Sequence, residues 1–217
     1  MPADPPPTIW VLAGPNGGGK SSLMGELLRE CGGDYLNPDE LTRQLMERNP
    51  GLARERANAL AWADGLRRLE EAISRRQSFA FETTLGGRTI SRCLHRAADL
   101  GLAIRMWYVA LDSADRHVAR VHARARRGGH AVAEQRIRER YLQSRANLAR
   151  LIPKLTSLRV FDNSAEAKLA AGEHPRPRLV LDFADGRVLN RRRLASTPDW
   201  AKPLVAAALK AERVPGR

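Results

Sequence analysis

The chain has 217 residues, 43% of them hydrophobic, which suits one domain with a proper core and is short for two. No apolar run approaches the roughly 20 residues that span a bilayer, and the two cysteines, Cys31 and Cys93, have no metal-ligand spacing around them. With 37 basic against 24 acidic residues, the charge of +13 favours an anionic partner such as nucleotide, sugar phosphate or nucleic acid. An arginine-biased, GC-rich coding sequence gives the same excess, so the location of the charge matters more than its sum.

The proline-rich residues 1–7 read as a short extended tail with neither a basic leader nor an apolar signal core, and the two cysteines read as reduced thiols in a cytoplasmic protein. TIWVLAG (8–14) is a short apolar strand, followed by helical spacing over 20–31. DYLNPD (34–39) is a weak strand running into a helix at 40–48, and a long helical pattern covers 52–77. SFAFETTL (78–85) is a strand, 88–100 a helix, and LAIRMWYVAL (102–111) the longest strand. Two arginine-rich helices follow at 113–127 and 134–151, and LRVFDNS (158–164) is the last core strand. Alternating strands and helices predict an α/β fold, a parallel sheet with helices on both faces. After residue 164 the pattern predicts a hairpin turning at Asp185-Gly186 and a terminal helix over 197–212. This gives a tail at 1–7, a core at 8–164 containing a helical lid at about 113–151, and a C-terminal appendage at 165–217 in the same domain.

The strongest motif is Gly14-Pro15-Asn16-Gly17-Gly18-Gly19-Lys20-Ser21, which fills G-x-x-x-x-G-K-[ST] in full between a strand and a helix. Such a P-loop turns successive backbone N–H groups toward phosphates at the positive end of a helix. Gly14 to Ser22 are therefore the nucleotide-binding candidates, with Lys20 reaching the β- and γ-phosphates of ATP or GTP and Ser21 ligating Mg²⁺. A motor or hydrolase usually carries an apolar strand ending in Asp-Glu, and no such run occurs here.

Asp39, in LNPDEL, follows the second strand, where a carboxylate can take the proton of an attacking hydroxyl. It is equally at home as a dipole-favouring residue in a helix capped by Asn37, with Pro38 at the first position. Glu82, Thr83 and Thr84 in FETTL end the third strand at the same sheet edge. There Glu82 can hold a substrate hydroxyl or order the Mg²⁺ shell, or simply be a solvated strand end. Residues 112–150 hold ten arginines against four acids. Arg116, Arg120, Arg124 and Arg127 fall on one helix face, where like charges repel unless an anion lies between them. A flap of this kind closes over a triphosphate and excludes water, and an arginine-biased solvated helix pair is the plainer alternative. His130, beside the glycines that split the pair, is either a lid contact or an ordinary loop residue.

Taken together, LAGPNGGGKS, LNPDEL, SFAFETTLGG, RVHARARRGGHAV and FDNS, in that order over residues 8–164, resemble the zeta toxin family of P-loop kinases in its short stand-alone branch. The resemblance implies ATP- or GTP-dependent, Mg²⁺-assisted phosphorylation of a sugar hydroxyl, typically the 3′-hydroxyl of the amino sugar in UDP-N-acetylglucosamine. It implies Lys20 and Ser21 as phosphate and metal ligands, Asp39 as base, and Glu82 with Thr84 on the substrate side. Arg120, Arg124 and Arg140 are its γ-phosphate arginines, and Asp162 and Asn163 the contacts near the nucleotide base. An antitoxin protein is the partner such a family suggests. Two departures stand out: Ala133 replaces an expected proline in the lid loop, and the long substrate-side insertions of the larger toxins are absent. An antibiotic, a nucleotide or another small hydroxyl compound thus stays open as acceptor. An NTP-dependent nucleic-acid binder is the rival class, which the lack of aromatic residues among the basic stretches disfavours.

Overall fold

The computed structural model describes residues 6–21, 35–129, 131–165 and 177–212. Strand β1 (Thr8–Ala13) is central, because its alternate residues Ile9, Val11 and Ala13 are buried on one face while Leu12 is buried on the other. Around it lie β2 (Tyr35–Leu36), β3 (Phe79–Thr83), β4 (Ala103–Ala110), β5 (Ser157–Asp162), β6 (Arg178–Ala184) and β7 (Arg187–Val188) in the order β2-β3-β1-β4-β5-β6-β7. The first five are parallel, and β6 and β7 add an antiparallel edge. The five parallel strands are the sheet that the sequence pattern predicts, and the predicted hairpin makes it mixed by joining its edge.

The helices are α1 (Pro38–Arg48), α2 (Arg54–Ser74), α3 (Arg88–Asp99), α4 (Ala114–Arg126), α5 (Glu134–Leu151) and α6 (Lys202–Ala211). Leu69 and Ile73 of α2, Leu94 of α3, Leu148 and Leu151 of α5 and Leu204 of α6 join the strand residues in one core. Helices α4 and α5 add a small cluster of their own, Val118 and Val121 against Ile137. No helix among the described residues is long and apolar enough to cross a membrane.

Three predicted boundaries shift for local reasons. The β3 strand stops at Thr83 because Leu85, buried, turns into the left-handed region at φ +52°. LRVFDNS is not the last core strand, since Val180, Leu181 and Phe183 of β6 are buried beside it. Asp185 and Gly186, both at positive φ, turn that strand into β7, as their sequence predicts. The terminal helix begins at Lys202, because Pro203 is tolerated only in a first turn. The predicted helix over 20–31 shows its start at Lys20 and Ser21, and Ser22, Cys31 and His130 lie outside the described residues.

Candidate active site

Parallel strands place the loops that follow β1 to β5 along one edge, the carboxyl edge of the sheet, where ligands of such sheets bind. Gly14 begins the loop after β1. Its φ is +140°, and a Cβ there would lie 2.0 Å from the carbonyl oxygen of Val109, so only glycine allows β1 to leave the sheet this close to β4. Gly17, at φ +78°, rests the loop against α4, where a Cβ would come within 2.8 Å of the His117 carbonyl oxygen.

Three carbonyls of the loop are held by partners. Pro15 O accepts from Gly18 N at 3.3 Å and from Lys20 Nζ at 3.2 Å. Asn16 O is held by His117 Nδ1 at 2.7 Å, and Gly18 O accepts from Asn163 Nδ2 at 3.0 Å. The Asn16 side chain is held as well, its Oδ1 accepting from Arg140 Nη1 at 2.8 Å.

Lys20 is only 7% exposed, a costly place for a charge without a partner. Glu82 supplies the partner, its Oε1 lying 3.5 Å from Lys20 Nζ. The other oxygen, Oε2, accepts from Ser21 Oγ at 2.7 Å, Tyr35 OH at 2.9 Å and Asn37 Nδ2 at 3.3 Å. One carboxylate thus joins the phosphate loop, β2, β3 and the start of α1. A cleft lined by Tyr35, Asn37, Glu40, Gln44 and Arg68 opens beside it. Thr83 Oγ1 accepts from Leu85 N at 3.0 Å, and Asn147 of α5 donates to Leu85 O at 2.9 Å, which fixes the loop that carries Thr84.

Asp39 stands in the first turn of α1, its side chain exposed. Its backbone N–H is capped by Asn37 Oδ1 at 2.9 Å, and its charge acts on Arg140. Burial pulls the Arg140 guanidinium below its ordinary value, Arg136 adds to this, and Asp39 opposes it. Arg120 of α4 turns inward and donates to Asn163 O at 2.7 Å, while Arg124, one turn further on, is exposed beside Gly129. Arg116 reaches Ser164 O. Arg138 turns outward instead, to Asp115 and Glu134.

The structure therefore brings Lys20, Ser21, Glu82, Asn16 and Arg140 together, and places Asp39 beside Arg140. It sets Arg120 against the β5 loop. Asp162 and Asn163 are engaged with protein. Asp162 Oδ1 accepts from Ser164 N and Oγ, and Asn163 is 2% exposed, with its amide on the loop and its Oδ1 buried without a hydrogen-bond partner among the described residues.

Sequence reasoning missed His117 and Tyr35. His117 is fully buried, and Leu111 N donates to its Nε2 at 3.1 Å. Its signal was present in the chain, since His117 and Val121 stand one turn apart on the face that α4 buries. Tyr35 carries no local signal, because its partner Glu82 is 47 residues away.

The donor sets suit what such a site holds. The loop's glycines let it pack directly against β4 and α4, and the Ser21 hydroxyl beside the Glu82 carboxylate is an oxygen pair suited to Mg²⁺. A glycine-lined phosphate loop with a buried lysine, at the carboxyl edge of a largely parallel sheet, defines a P-loop nucleotide-binding protein of kinase-like fold. Residues 9–151, more than half of the chain, match the family model of the AAA domain (AAA_33), and the chain belongs to that family.

An uncharacterized protein of Haemophilus influenzae is 29% identical over 140 residues, 61% of this chain and 96% of that protein. Among solved structures, the AvrRxo1-ORF1:-ORF2 structure with ATP is similar at a TM-score of 0.60 and 15% identity, covering 96% of this chain and 77% of that one. A structure of the PezAT chromosomal toxin-antitoxin system of Streptococcus pneumoniae is similar at 0.56 and 12% identity, covering 97% and 87%. At such identities these likenesses speak for the fold.

Proposed function

We propose that this chain is a phosphotransferase that moves the γ-phosphate of ATP or GTP to a hydroxyl of a small molecule, with a nucleotide sugar such as UDP-N-acetylglucosamine as the first acceptor to test. The observation that carries this reading is the meeting of Lys20 and Ser21 with Glu82, beside the helix start that presents Asp39. Lys20 neutralises charge on the transferring phosphoryl group, and Asn16 and Arg140 bound the same loop. A bound Mg²⁺ would draw charge from the phosphate oxygens, and Ser21 and Glu82 are the residues to hold it.

Asp39 takes the acceptor's hydroxyl proton as the new oxygen–phosphorus bond forms. The bond to the β-phosphate oxygen breaks, and its electron pair leaves with the nucleoside diphosphate. Glu82, Thr83 and Thr84 orient the acceptor, and Arg120 and Arg124 complete the charge around the phosphates. Asp162 and Asn163 set the floor on which the nucleotide base lies. PezAT is a toxin-antitoxin system, and its likeness in fold, with the family resemblance of the motifs, supports a protein antitoxin as partner in the cytoplasm.

The test is incubation with labelled ATP or GTP, Mg²⁺ and a panel of nucleotide sugars, nucleotides and antibiotics, followed by mass spectrometry. An acceptor heavier by one phosphate is the expected product. Nucleotide lost only to water, with every acceptor unchanged, would replace the kinase by a hydrolase.

A further inference from the structure

We propose that His117 is a positioning residue of the phosphate loop, holding the Asn16 carbonyl turned out of the cradle and fixing the arginine helix α4 in register with it. The inference rests on reading residues 14–21 as the triphosphate site.

A cradle built from backbone N–H groups fails if a loop carbonyl swings inward, because that oxygen repels the anion the amides attract. Each outward carbonyl needs a donor, and the donors here differ in kind. Pro15 O is held from within the loop, by Gly18 N and Lys20. Asn16 O is held from α4, by His117 Nδ1 at 2.7 Å. The tautomer follows from the opposite nitrogen. Leu111 N–H donates to Nε2, so Nε2 carries the lone pair and Nδ1 carries the proton that Asn16 O receives.

The ring is clamped as well as bonded. It is fully buried, its centroid lies 5.4 Å from that of Tyr141, and the Tyr141 hydroxyl donates to Asp112 O at 2.9 Å. Leu111 and Asp112 directly follow β4, so one imidazole spans the end of β4, α4 and the loop. Arg120 and Arg124 lie three and seven residues further along α4, and a shift of that helix relative to the loop moves both. The consequence is specific: His117 acts on nucleotide affinity through loop geometry, its hydrogen bonds running to Asn16 and Leu111 and its ring packing on Tyr141.

Full-length His117→Phe keeps the ring's bulk and loses both hydrogen bonds, and His117→Gln keeps one donor and one acceptor. Titration with a fluorescent ATP analogue and Mg²⁺ is expected to show a loss of tenfold or more for Phe and at least partial recovery for Gln, with thermal midpoints recorded for both. A His117→Phe protein that binds within twofold of wild type, whatever its midpoint, overturns the proposal. Nitrogen-15 imidazole spectra of the wild type test the same point independently if Phe fails to fold. The expected spectrum is a neutral ring protonated at Nδ1 whose shifts move on addition of the analogue, while His95 and His122 stay still. An unmoved His117 overturns the proposal, as does a proton on Nε2. Wild-type protein that binds no nucleotide would remove the parent reading too, whereas normal wild-type binding with an indifferent His117→Phe removes only this one.

Discussion

The phosphate loop and the first turn of α1 share one sheet edge and are built in opposite ways. In the loop, three carbonyls have named holders and the lysine is buried against a carboxylate. At the start of α1, Asn37 caps the backbone N–H groups of Asp39 and Glu40, and the Asp39 side chain is exposed. On the proposed function, the difference follows from the task of each side. Multiple phosphate charges are best stabilised by dipoles that need no rearrangement when the anion arrives. A general base must instead exchange its water for an acceptor hydroxyl, and an exposed carboxylate allows that at little cost. One side is fixed by buried hydrogen bonds, and the other is left open.

The sharpest way to break the contrast is to remove one charge from each side. Lys20→Ala is expected to lower phosphoryl transfer by about 10³-fold or more and to weaken nucleotide binding as well, since the lysine meets the phosphates before and during transfer. Asp39→Asn is expected to cost about 10²- to 10⁴-fold in transfer, with ATP affinity within a few-fold of wild type. Isothermal titration alongside a transfer assay separates the two. If Asp39→Asn transfers at the wild-type rate, the open side is not the basic side, and Glu82 becomes the carboxylate to examine.

The second way is through pH. Burial pulls the His117 imidazole down to about 4, helped by the charges of Lys20, Arg120 and Arg145 and opposed by its bond to Asn16, with Tyr141 packed on its ring. An unfolded histidine titrates near its ordinary value of 6.5. The unfolded chain therefore binds the proton first. His117's contribution is complete above pH 6.5, falls as the pH drops through the window down to about 4, and amounts to about 3 kcal/mol at full extent. Denaturant melts at pH 7, 5.5 and 4.5 should show this loss, and His117→Phe should flatten that part of the curve. An unchanged slope in the variant would assign the acid sensitivity elsewhere.

These contrasts also separate what was legible in the chain from what was not. The loop was readable because its signal is local: an apolar strand, glycines at fixed offsets, then a helix start. Asn37 was readable as a cap for the same reason, its partners being the N–H groups two and three residues on. Glu82 was legible as a residue at the mouth but not as a junction, because its hydrogen-bonding partners Asn37, Tyr35 and Ser21 lie 45 to 61 residues away. No periodicity encodes such a pairing. His117 hid among arginines, and only its spacing to Val121 betrays burial. The Asp185-Gly186 turn signal makes β6 legible as one arm of an appended hairpin, but not its place beside β5. Antiparallel pairing with β5 makes it part of the sheet, and Asp182 then faces Arg159 at 3.6 Å.

The smallest expected effect is the most discriminating, because Asn37 serves both sides at once. Its Oδ1 caps α1 on the open side, and its Nδ2 donates to Glu82 on the fixed side. Asn37→Ser keeps a capping oxygen and loses the donor to Glu82, whereas Asn37→Ala loses both. The cap is worth about 1 kcal/mol, so Ala should destabilise the fold by that amount and Ser by a few tenths. Transfer should fall in both variants by the same few-fold factor if the bond to Glu82 is what matters, because that bond is absent from each. If instead the Ser protein keeps full activity and only Ala loses it, Asn37 acts through the helix start and hence through Asp39. Chemical denaturation and a transfer assay on the two variants decide between the sides, and equal stability of Ser and Ala would show that the cap contributes nothing.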